Sequence, residues 1–486
     1  MKRLLSYVLC LTAYVVAMAC AVEPTRQSVS NAPGSPVPSA TASPSPSPAS
    51  EKAAKAQPVT LPVLDAFFAD ESFSGLLKTR LQLADDQIAK LKELAHSETA
   101  GLNEANAGHS EGETAVARAA AEEKIRALVG EEKAQQLAAL VRERWSGASE
   151  NPSEKTTTGP TNPNTPEEFA ANAPNAVPTD SRIVVNTPAY RMDVFAGGRL
   201  IKSYKIGIGY PQFPLPTGLR KASTIIFNPT WTPPDEPWVA KMKDINVGEK
   251  VEAGSKLNPL GPIKIPIGLP SLIHGGKSPA KLGTFASHGC VGLTTPQVQD
   301  FAKVLAQLGG SHLSDAELAN YTRDKTETKH VKLSKAVPVE LRYETIVVED
   351  GKLHIYRDVY DQDTNTEANL RAVLEANGVK FEEFTKDEQA LVLDALAQMA
   401  GKSSAPLART TLPKPSPTPS TSPAPANSPD EKKATAGKKK ARGPKIQKEI
   451  VIEIAALNGK GYPAPVDLDL GTGKTKAALA PAAKKG

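Results

Sequence analysis

Three tracts rich in proline, serine and other small residues limit how much of this chain can fold. They run from Glu23 to Thr60, from Ser146 to Asp180 and from Lys402 to Lys445, and the 42 prolines are concentrated in them. Segments of this composition bury too little apolar surface to fold and behave as extended spacers. The 486 residues therefore predict separate folded regions joined by disordered Pro/Ser/Lys-rich linkers.

The first twenty residues have the pattern of a secretory signal. A short basic segment precedes an apolar run from Leu4 to Ala19, which is too short to be a permanent membrane span. The run ends in A-M-A-C, which suits either ordinary cleavage or a lipoprotein whose Cys20 carries the lipid. We expect an exported protein of the periplasm or cell envelope, and the lipid anchor stays an open alternative.

Cys290 is the only cysteine outside the first twenty residues. An unpaired cysteine in an oxidising compartment indicates a working thiol. His288 precedes it by two residues and His274 lies further upstream, so either imidazole could take the proton of the thiol. Gly289 lets the backbone between them turn its N–H groups toward a developing oxyanion. This combination favours acyl transfer.

Two other interpretations of Cys290 have to be compared with this one. A lone cysteine is commonly a small buried apolar residue. A zinc site would use His-x-Cys with a further histidine, but the sequence has neither a C-x-x-C nor an H-x-x-x-H pattern to complete it. We expect no metal and no cofactor.

The motifs around these residues resemble those of the L,D-transpeptidases, the cysteine enzymes that cross-link bacterial peptidoglycan. The resemblance spans Arg182 to Tyr360. It rests on H-G at 274–275, S-H-G-C-V-x-L at 287–293, P-L-P-T-G at 214–218, N-P-T-W-T-P-P at 228–234 and N-P-L-G-P at 258–262. It implies a mainly β catalytic domain, an L,D-transpeptidase-like β-sandwich, with peptidoglycan stem peptides as partners.

The resemblance also implies a role for each residue of the site. Cys290 would attack a tetrapeptide stem and release D-Ala, and His274 would act as general base before an amine of a neighbouring stem resolves the thioester as a 3-3 cross-link. The supporting residues would be His288, Gly289, Ser287 and Gly275 around the oxyanion, with Gly292, Thr217 and Trp231 binding substrate. An L,D-carboxypeptidase, a protein-anchoring variant and a non-catalytic cell-wall-binding protein remain alternatives.

Gly292 departs from the family pattern, which commonly has Arg or Asn at this position. The missing long side chain is expected to loosen the grip on a substrate carboxylate. Gly292→Arg should then lower the KM for tetrapeptide donors and change kcat little.

The remaining patterns predict how the rest of the chain folds. Apolar residues at three-to-four spacing between Leu61 and Trp145 predict a small helical module that shares few contacts with its neighbours. Alternating segments from Arg182 onward predict strands, including one over Leu200 to Ile208, and Pro296 opens a helix just after Cys290. Ile446 to Leu457 looks like a lone strand.

Together these patterns predict an order of regions. We expect a signal peptide at 1–19, a linker at 20–60, a helical module at 61–148, a linker at 149–180, a catalytic domain at 181–360, short helices at 361–400, a basic linker at 401–445 and a tail at 446–486. G-T-G-K-T at 471–475 lacks the spacing of a nucleotide-binding loop. No nucleic-acid partner is expected, and the sequence leaves the oligomeric state open.

Overall fold

The computed structural model describes residues 59–100, 102, 113–145, 173–233, 239, 242–268, 270–400 and 447–472. These residues all belong to one unit of the chain, Pro46–Gly486. The signal sequence, Cys20, the basic residues at 438–442 and nearly all of the proline-rich tracts lie outside the described residues. Among the described residues, no helix combines the length and apolar character needed to cross a membrane.

The predicted helical module is confirmed. Its helices are α1 Leu61–Phe68, α2 Glu71–Leu81, α3 Asp85–Ala100, α4 Glu113–Val129 and α5 Glu131–Trp145. Thr60 and Asp70 cap α1 and α2 by accepting hydrogen bonds from backbone N–H groups of the first turn. The apolar stripes meet in a core of their own, which includes the fully buried Phe73, Leu91 and Trp145.

The rest of the described chain consists of strands with four helices, counted among the described residues only. The strands are β1 Arg182–Asn186, β2 Arg191–Ala196, β3 Arg199–Lys205, β4 Ile208–Gly209, β5 Gly218–Phe227, β6 Ile263–Pro266, β7 Leu272–His274, β8 Phe285–Ser287, β9 Val291–Gly292, β10 Lys329–Arg342, β11 Ile346–Glu349, β12 Lys352–Tyr356 and β13 Glu449–Glu453. The helices are α6 Thr295–Leu308, α7 Asp315–Arg323, α8 Glu367–Ala376 and α9 Lys386–Met399.

The main sheet has the strand order β3-β2-β1-β10-β5-β6-β7-β9, and β4 pairs with β8 beside it. The sheet curls until its two edges meet. Gly207, just past β3, and Gly292, in β9, exchange two backbone hydrogen bonds of 2.9 Å each. Helix α6 packs Val298, Phe301 and Leu305 into the core of this sheet. The expected mainly β catalytic domain is therefore confirmed.

One local prediction differs from the structure around this closure. The strand expected over Leu200 to Ile208 ends at Lys205, because Gly207 turns its N–H and carbonyl toward Gly292 on the other edge. The helix expected to open at Pro296 is confirmed, since it begins at Thr295, and Val291 and Gly292 pair as β9 between it and Cys290.

A smaller three-stranded sheet, β11-β12-β13, follows the main one. The expectation of a lone strand near the C-terminus is wrong, because β13 pairs antiparallel with β12 and sets Ile452 opposite Leu353. Helices α8 and α9 cover this sheet with Leu374 and Leu396.

Beyond β13 the chain returns to the main sheet. Ser203 donates to the carbonyl of Val466 at 2.9 Å, and Asp469 exchanges backbone hydrogen bonds with Ser203 and Lys205, also at 2.9 Å. The side-chain amide of Gln297, at the start of α6, donates to the same Asp469 carbonyl at 2.9 Å. The C-terminal segment thereby joins β3 to α6.

The closure of the main sheet predicts a contrast between two glycines. A Cβ at Gly207 would lie 2.7 Å from the Cβ of Ala286, whereas one at Gly75 in α2 would meet nothing within 4 Å. We expect Gly207→Ala to lower the free energy of unfolding by about 1–3 kcal/mol through overpacking. Gly75→Ala should raise it by about 0.5–1 kcal/mol through helix propensity. Urea unfolding followed by circular dichroism measures both, and equal effects would contradict the crowding at Gly207.

Candidate active site

Cys290 lies in a tight turn between β8 and β9. The Ser287 hydroxyl accepts a hydrogen bond from the Cys290 N–H at 3.0 Å and donates to the Cys290 carbonyl at 2.5 Å. Gly289 has a φ of +82°, a conformation that L side chains rarely adopt. Its carbonyl accepts from the Ser271 hydroxyl at 2.8 Å. Two serines and one glycine therefore hold the turn in a single conformation.

His274 ends β7 and is almost completely buried, with 3% of its surface exposed. Its Nδ1 lies 2.8 Å from the carbonyl oxygen of Gly275. A carbonyl can only accept, so this contact puts the proton on Nδ1 and leaves Nε2 as the basic nitrogen. The Ser287 hydroxyl is engaged by the backbone of Cys290.

Close backbone packing fixes the position of His274. Gly261 and Gly276 both have positive φ, and a Cβ at Gly261 would lie 2.5 Å from the Gly276 nitrogen. This contact brings the 258–262 segment against the residues after β7, and the backbone of Leu260 also hydrogen-bonds His274. The N-P-L-G-P motif therefore serves as support for the imidazole.

The pairing of β7 with β9 brings the segments that carry His274 and Cys290 next to each other. The two strands are parallel, and His274 is in register with Gly292. Cys290 directly precedes β9, two residues before the pairing partner of His274. A thiol and an oriented imidazole on neighbouring segments can carry out nucleophilic catalysis.

His288 lies in an aromatic cage. Its ring meets Phe213 at 4.8 Å and Tyr210 at 5.2 Å between centroids, both edge-on. The Tyr210 N–H donates to the Ser287 carbonyl at 2.8 Å, which connects the cage to the turn that holds Cys290. We did not predict Tyr210 or Phe213, because nothing in their local sequence indicates that they meet His288.

The helical module contacts this cage at a few points. Thr114, at the start of α4, donates from its buried hydroxyl to the Pro211 carbonyl at 2.9 Å. Thr60 donates to the Gln212 carbonyl at 2.6 Å, and Leu102 packs against Tyr210 and Phe213. The segment between Tyr210 and Phe213 is thus held by two hydrogen bonds and one apolar contact from the helical module and the residues next to it.

The residues expected to bind substrate lie in different surroundings. Thr217 is half-buried just before β5, in a segment where the Leu215 N–H donates to the Tyr360 hydroxyl at 3.2 Å. Trp231 is only 9% exposed and packs with Val239 and Leu260. The indole therefore packs against Leu260, whose backbone hydrogen-bonds His274, and presents little surface to a ligand.

Gly292 is buried, and the side chain of Lys277 fills the space beside it. An added Cβ would lie 2.8 Å from Lys277 Cγ. The Gly292→Arg substitution therefore has no open space to enter, and the expected gain in substrate affinity has no support in this geometry. Sequence reasoning missed Lys277, which follows the H-G motif by two residues.

Both imidazoles are held neutral by their surroundings. Burial, aided by the positive charge of Lys277, lowers the pKa of His274 to about 3, against hydrogen bonds to the backbone of Gly275 and Leu260 that raise it. Burial and the same lysine lower the pKa of His288 to about 3. A neutral His274 can accept a proton from a thiol. Within the described part of the chain, no group of three or more His, Cys, Asp or Glu residues could hold a metal ion.

Comparison with known proteins identifies the family of this domain. Residues 180–329 match the YkuD family, the L,D-transpeptidase catalytic domain. No curated protein matches the chain.

Solved structures of L,D-transpeptidases are similar to about a third of the chain. The Ldtfm–avibactam carbamoyl enzyme is 15% identical over 34% of this chain and 49% of its own, with a TM-score of 0.20. An L,D-transpeptidase from Mycobacterium smegmatis is 14% identical over 34% of this chain and 58% of its own, with a TM-score of 0.20. The catalytic domain of the E. faecium L,D-transpeptidase is 16% identical over 34% of this chain and 100% of its own, with a TM-score of 0.22. The chain thus spans about half the length of the first of these proteins, and the family assignment is carried by the match at residues 180–329.

The low pKa values predict how stability depends on pH. Between pH 6.5 and 3 an unfolded histidine binds a proton that the folded protein excludes, so stability falls as pH falls through this range. From pH 7.5 to 5 each imidazole should cost about 1–2 kcal/mol of unfolding free energy. Urea unfolding of His274→Gln or His288→Gln should show a smaller loss than the parent protein. The exposed His312→Gln is the control, and an equal loss in all four proteins would contradict the prediction.

The contact between the helical module and the cage predicts a change in local dynamics. Thr114→Val keeps the side-chain shape but leaves the Pro211 carbonyl without this donor, at a cost of about 1 kcal/mol. Amide hydrogen exchange at Tyr210 and Phe213 should then accelerate about fivefold. Thr79→Val is the matched control, because that hydroxyl bonds only within its own helix. Unchanged exchange would show that the module does not hold the cage.

Proposed function

We propose that this chain, whose residues 180–329 are an L,D-transpeptidase catalytic domain, is a cysteine acyltransferase that joins peptidoglycan stem peptides at the cell envelope. One observation carries the proposal. His274, oriented by the Gly275 carbonyl, pairs with Gly292, two residues after Cys290. That arrangement supplies a nucleophile, a base and a group that orients the base.

The first half-reaction acylates Cys290. Neutral His274 takes the thiol proton on Nε2, and the thiolate attacks the carbonyl between the third residue of a tetrapeptide stem and its terminal D-Ala. The pKa of about 3 for His274 indicates that the resting pair is a neutral imidazole and a thiol, and not a preformed imidazolium–thiolate pair. The imidazolium then gives its proton to the leaving amine, D-Ala departs, and the acyl group remains as a thioester.

The oxyanion of this step needs hydrogen-bond donors near the turn. The N–H groups of His288, Gly289 and Cys290 are the candidates. In the present conformation the Cys290 N–H donates to the Ser287 hydroxyl at 3.0 Å, so the turn has to exchange that bond for one to the oxyanion if Cys290 takes part. The positive φ of Gly289 gives the turn its direction.

The second half-reaction transfers the acyl group to an amine. An amine of a neighbouring stem, such as that of diaminopimelate, attacks the thioester carbonyl, His274 takes the proton of the amine, and the thiol leaves with a new amide bond in place. This product is a 3-3 cross-link. A thioester reacts readily with amines, and closure of the pocket disfavours water.

The remaining assignments place the enzyme in the envelope. We propose that the signal at 1–19 directs export and that the linkers at 20–60 and 149–180 give the catalytic domain reach toward the wall. Lipidation at Cys20 would tether the chain to a membrane. The 61–148 module lies beside the cage of His288 and belongs to the working enzyme in this proposal.

Incubation of the purified chain with tetrapeptide-bearing muropeptides tests the function, with products identified by mass. Release of D-Ala together with dimers linked between third residues is the expected outcome. Release of D-Ala without dimers would indicate a carboxypeptidase. A wild-type protein that neither releases D-Ala nor gains mass from a β-lactam would overturn the proposal in favour of a wall-binding protein.

In the same assay, three variants should differ in how far they reduce acylation of Cys290. Cys290→Ala should abolish acylation, and His274→Ala should reduce it by about 100- to 10,000-fold, the range that loss of a general base costs. His288→Ala should reduce it less, because this ring is held in the aromatic cage instead of being oriented by a carbonyl. If His288→Ala abolishes acylation and His274→Ala does not, the two roles are reversed.

A further inference from the structure

Lys277 occupies the space that a side chain at position 292 would fill. A Cβ built on Gly292 would lie 2.8 Å from Lys277 Cγ, 3.0 Å from its Cε and 3.4 Å from its Cδ. Three carbons of the lysine stem therefore line the position of the missing side chain. Because Gly292 is in register with His274 on the neighbouring strand, the lysine stem runs along the face of the sheet that carries the His274 side chain.

The backbone around Lys277 is fixed to the two strands of the site. The Lys277 N–H donates to the Leu293 carbonyl at 3.0 Å, and the Leu293 N–H donates to the His274 carbonyl at 2.9 Å. Gly276, with a φ of +81°, turns the chain between β7 and Lys277 and packs against Gly261. The position of the lysine is thus set by the same contacts that set His274.

The charge of Lys277 reaches both imidazoles. It lowers the pKa of His274 and of His288, in each case as the second cause after burial. The residue as a whole is half-buried. The charge of Lys277 therefore acts on His288, in the turn that holds Cys290, while the lysine stem fills the space where residue 292 has no side chain of its own.

We propose that Lys277 is the specificity residue that binds the terminal carboxylate of the acyl donor. The inference rests on the proposed function, because a stem peptide brings this carboxylate to the site. The leaving D-amino acid carries it one carbon away from the scissile nitrogen, and Lys277 lies against Gly292, two residues after the attacking thiol. The ammonium group offers three donors on a flexible stem, which suits a carboxylate without demanding a bidentate geometry.

Alkylation of Cys290 tests the cation without relying on transpeptidation. Iodoacetate carries a carboxylate and iodoacetamide is its neutral counterpart, so the ratio of their rate constants cancels any change in thiolate content. Lys277→Met in the full chain should lower the iodoacetate-to-iodoacetamide ratio about tenfold, or 1.4 kcal/mol. Lys277→Arg should keep the ratio, and Lys281→Met, four residues along the same segment, should leave it unchanged. An unchanged ratio in Lys277→Met overturns the proposal.

A pair of tetrapeptide donors tests the specificity itself. For the free acid, Lys277→Met should raise KM about tenfold, with kcat within about twofold, as expected for uniform binding. For the donor with an amidated C-terminus, the parent protein and Lys277→Met should have equal KM. An equal loss on both donors would indicate a structural role and overturn the assignment. A parent protein that turns over neither donor refutes the proposed function, and the alkylation ratio then decides alone whether Lys277 attracts a carboxylate.

Discussion

The paired hydrogen bonds between Gly207 and Gly292 are the constraint on which the site depends. They join the two edges of the curled sheet, and β9 is thereby held between β7 on one side and Gly207 on the other. Neither glycine can gain a side chain without a collision, with Ala286 at one and Lys277 at the other. Because Cys290 directly precedes β9 and His274 ends β7, closing the sheet also fixes the two segments that carry the proposed nucleophile and the proposed base.

The electrostatics of the site follow from how tightly it is packed. The charge of Lys277 reaches two buried imidazoles, and burial disfavours a further positive charge there, which is why both histidines stay neutral. A neutral base can accept a proton, and the lysine charge favours anions such as a thiolate or a carboxylate nearby. The burial that costs stability at low pH thus keeps both imidazoles unprotonated near neutral pH.

Sequence patterns predicted what depends on local chemistry. The Cys–His motif, the strands from Arg182 onward and the helical module were all accessible, because motifs and hydrophobic periods are local. The structure adds what depends on distant residues meeting: Phe213 against His288, Thr114 against Pro211, β13 against β12 and Lys277 beside Gly292. Trp231 shows the reverse problem, because its motif indicated a ligand contact while tertiary packing covers the ring.

The return of the C-terminal segment has a consequence for how the enzyme is made. A ribosome releases the chain from its N-terminus, yet Asp469 supplies the carbonyl that joins Lys205 to Gln297, and Ile452 completes the smaller sheet. Contacts this distant along the chain form late and slow the folding of the domain. On the ribosome, Ser203, Lys205 and Gln297 therefore lack these hydrogen-bond partners until residues 466–469 have been synthesised.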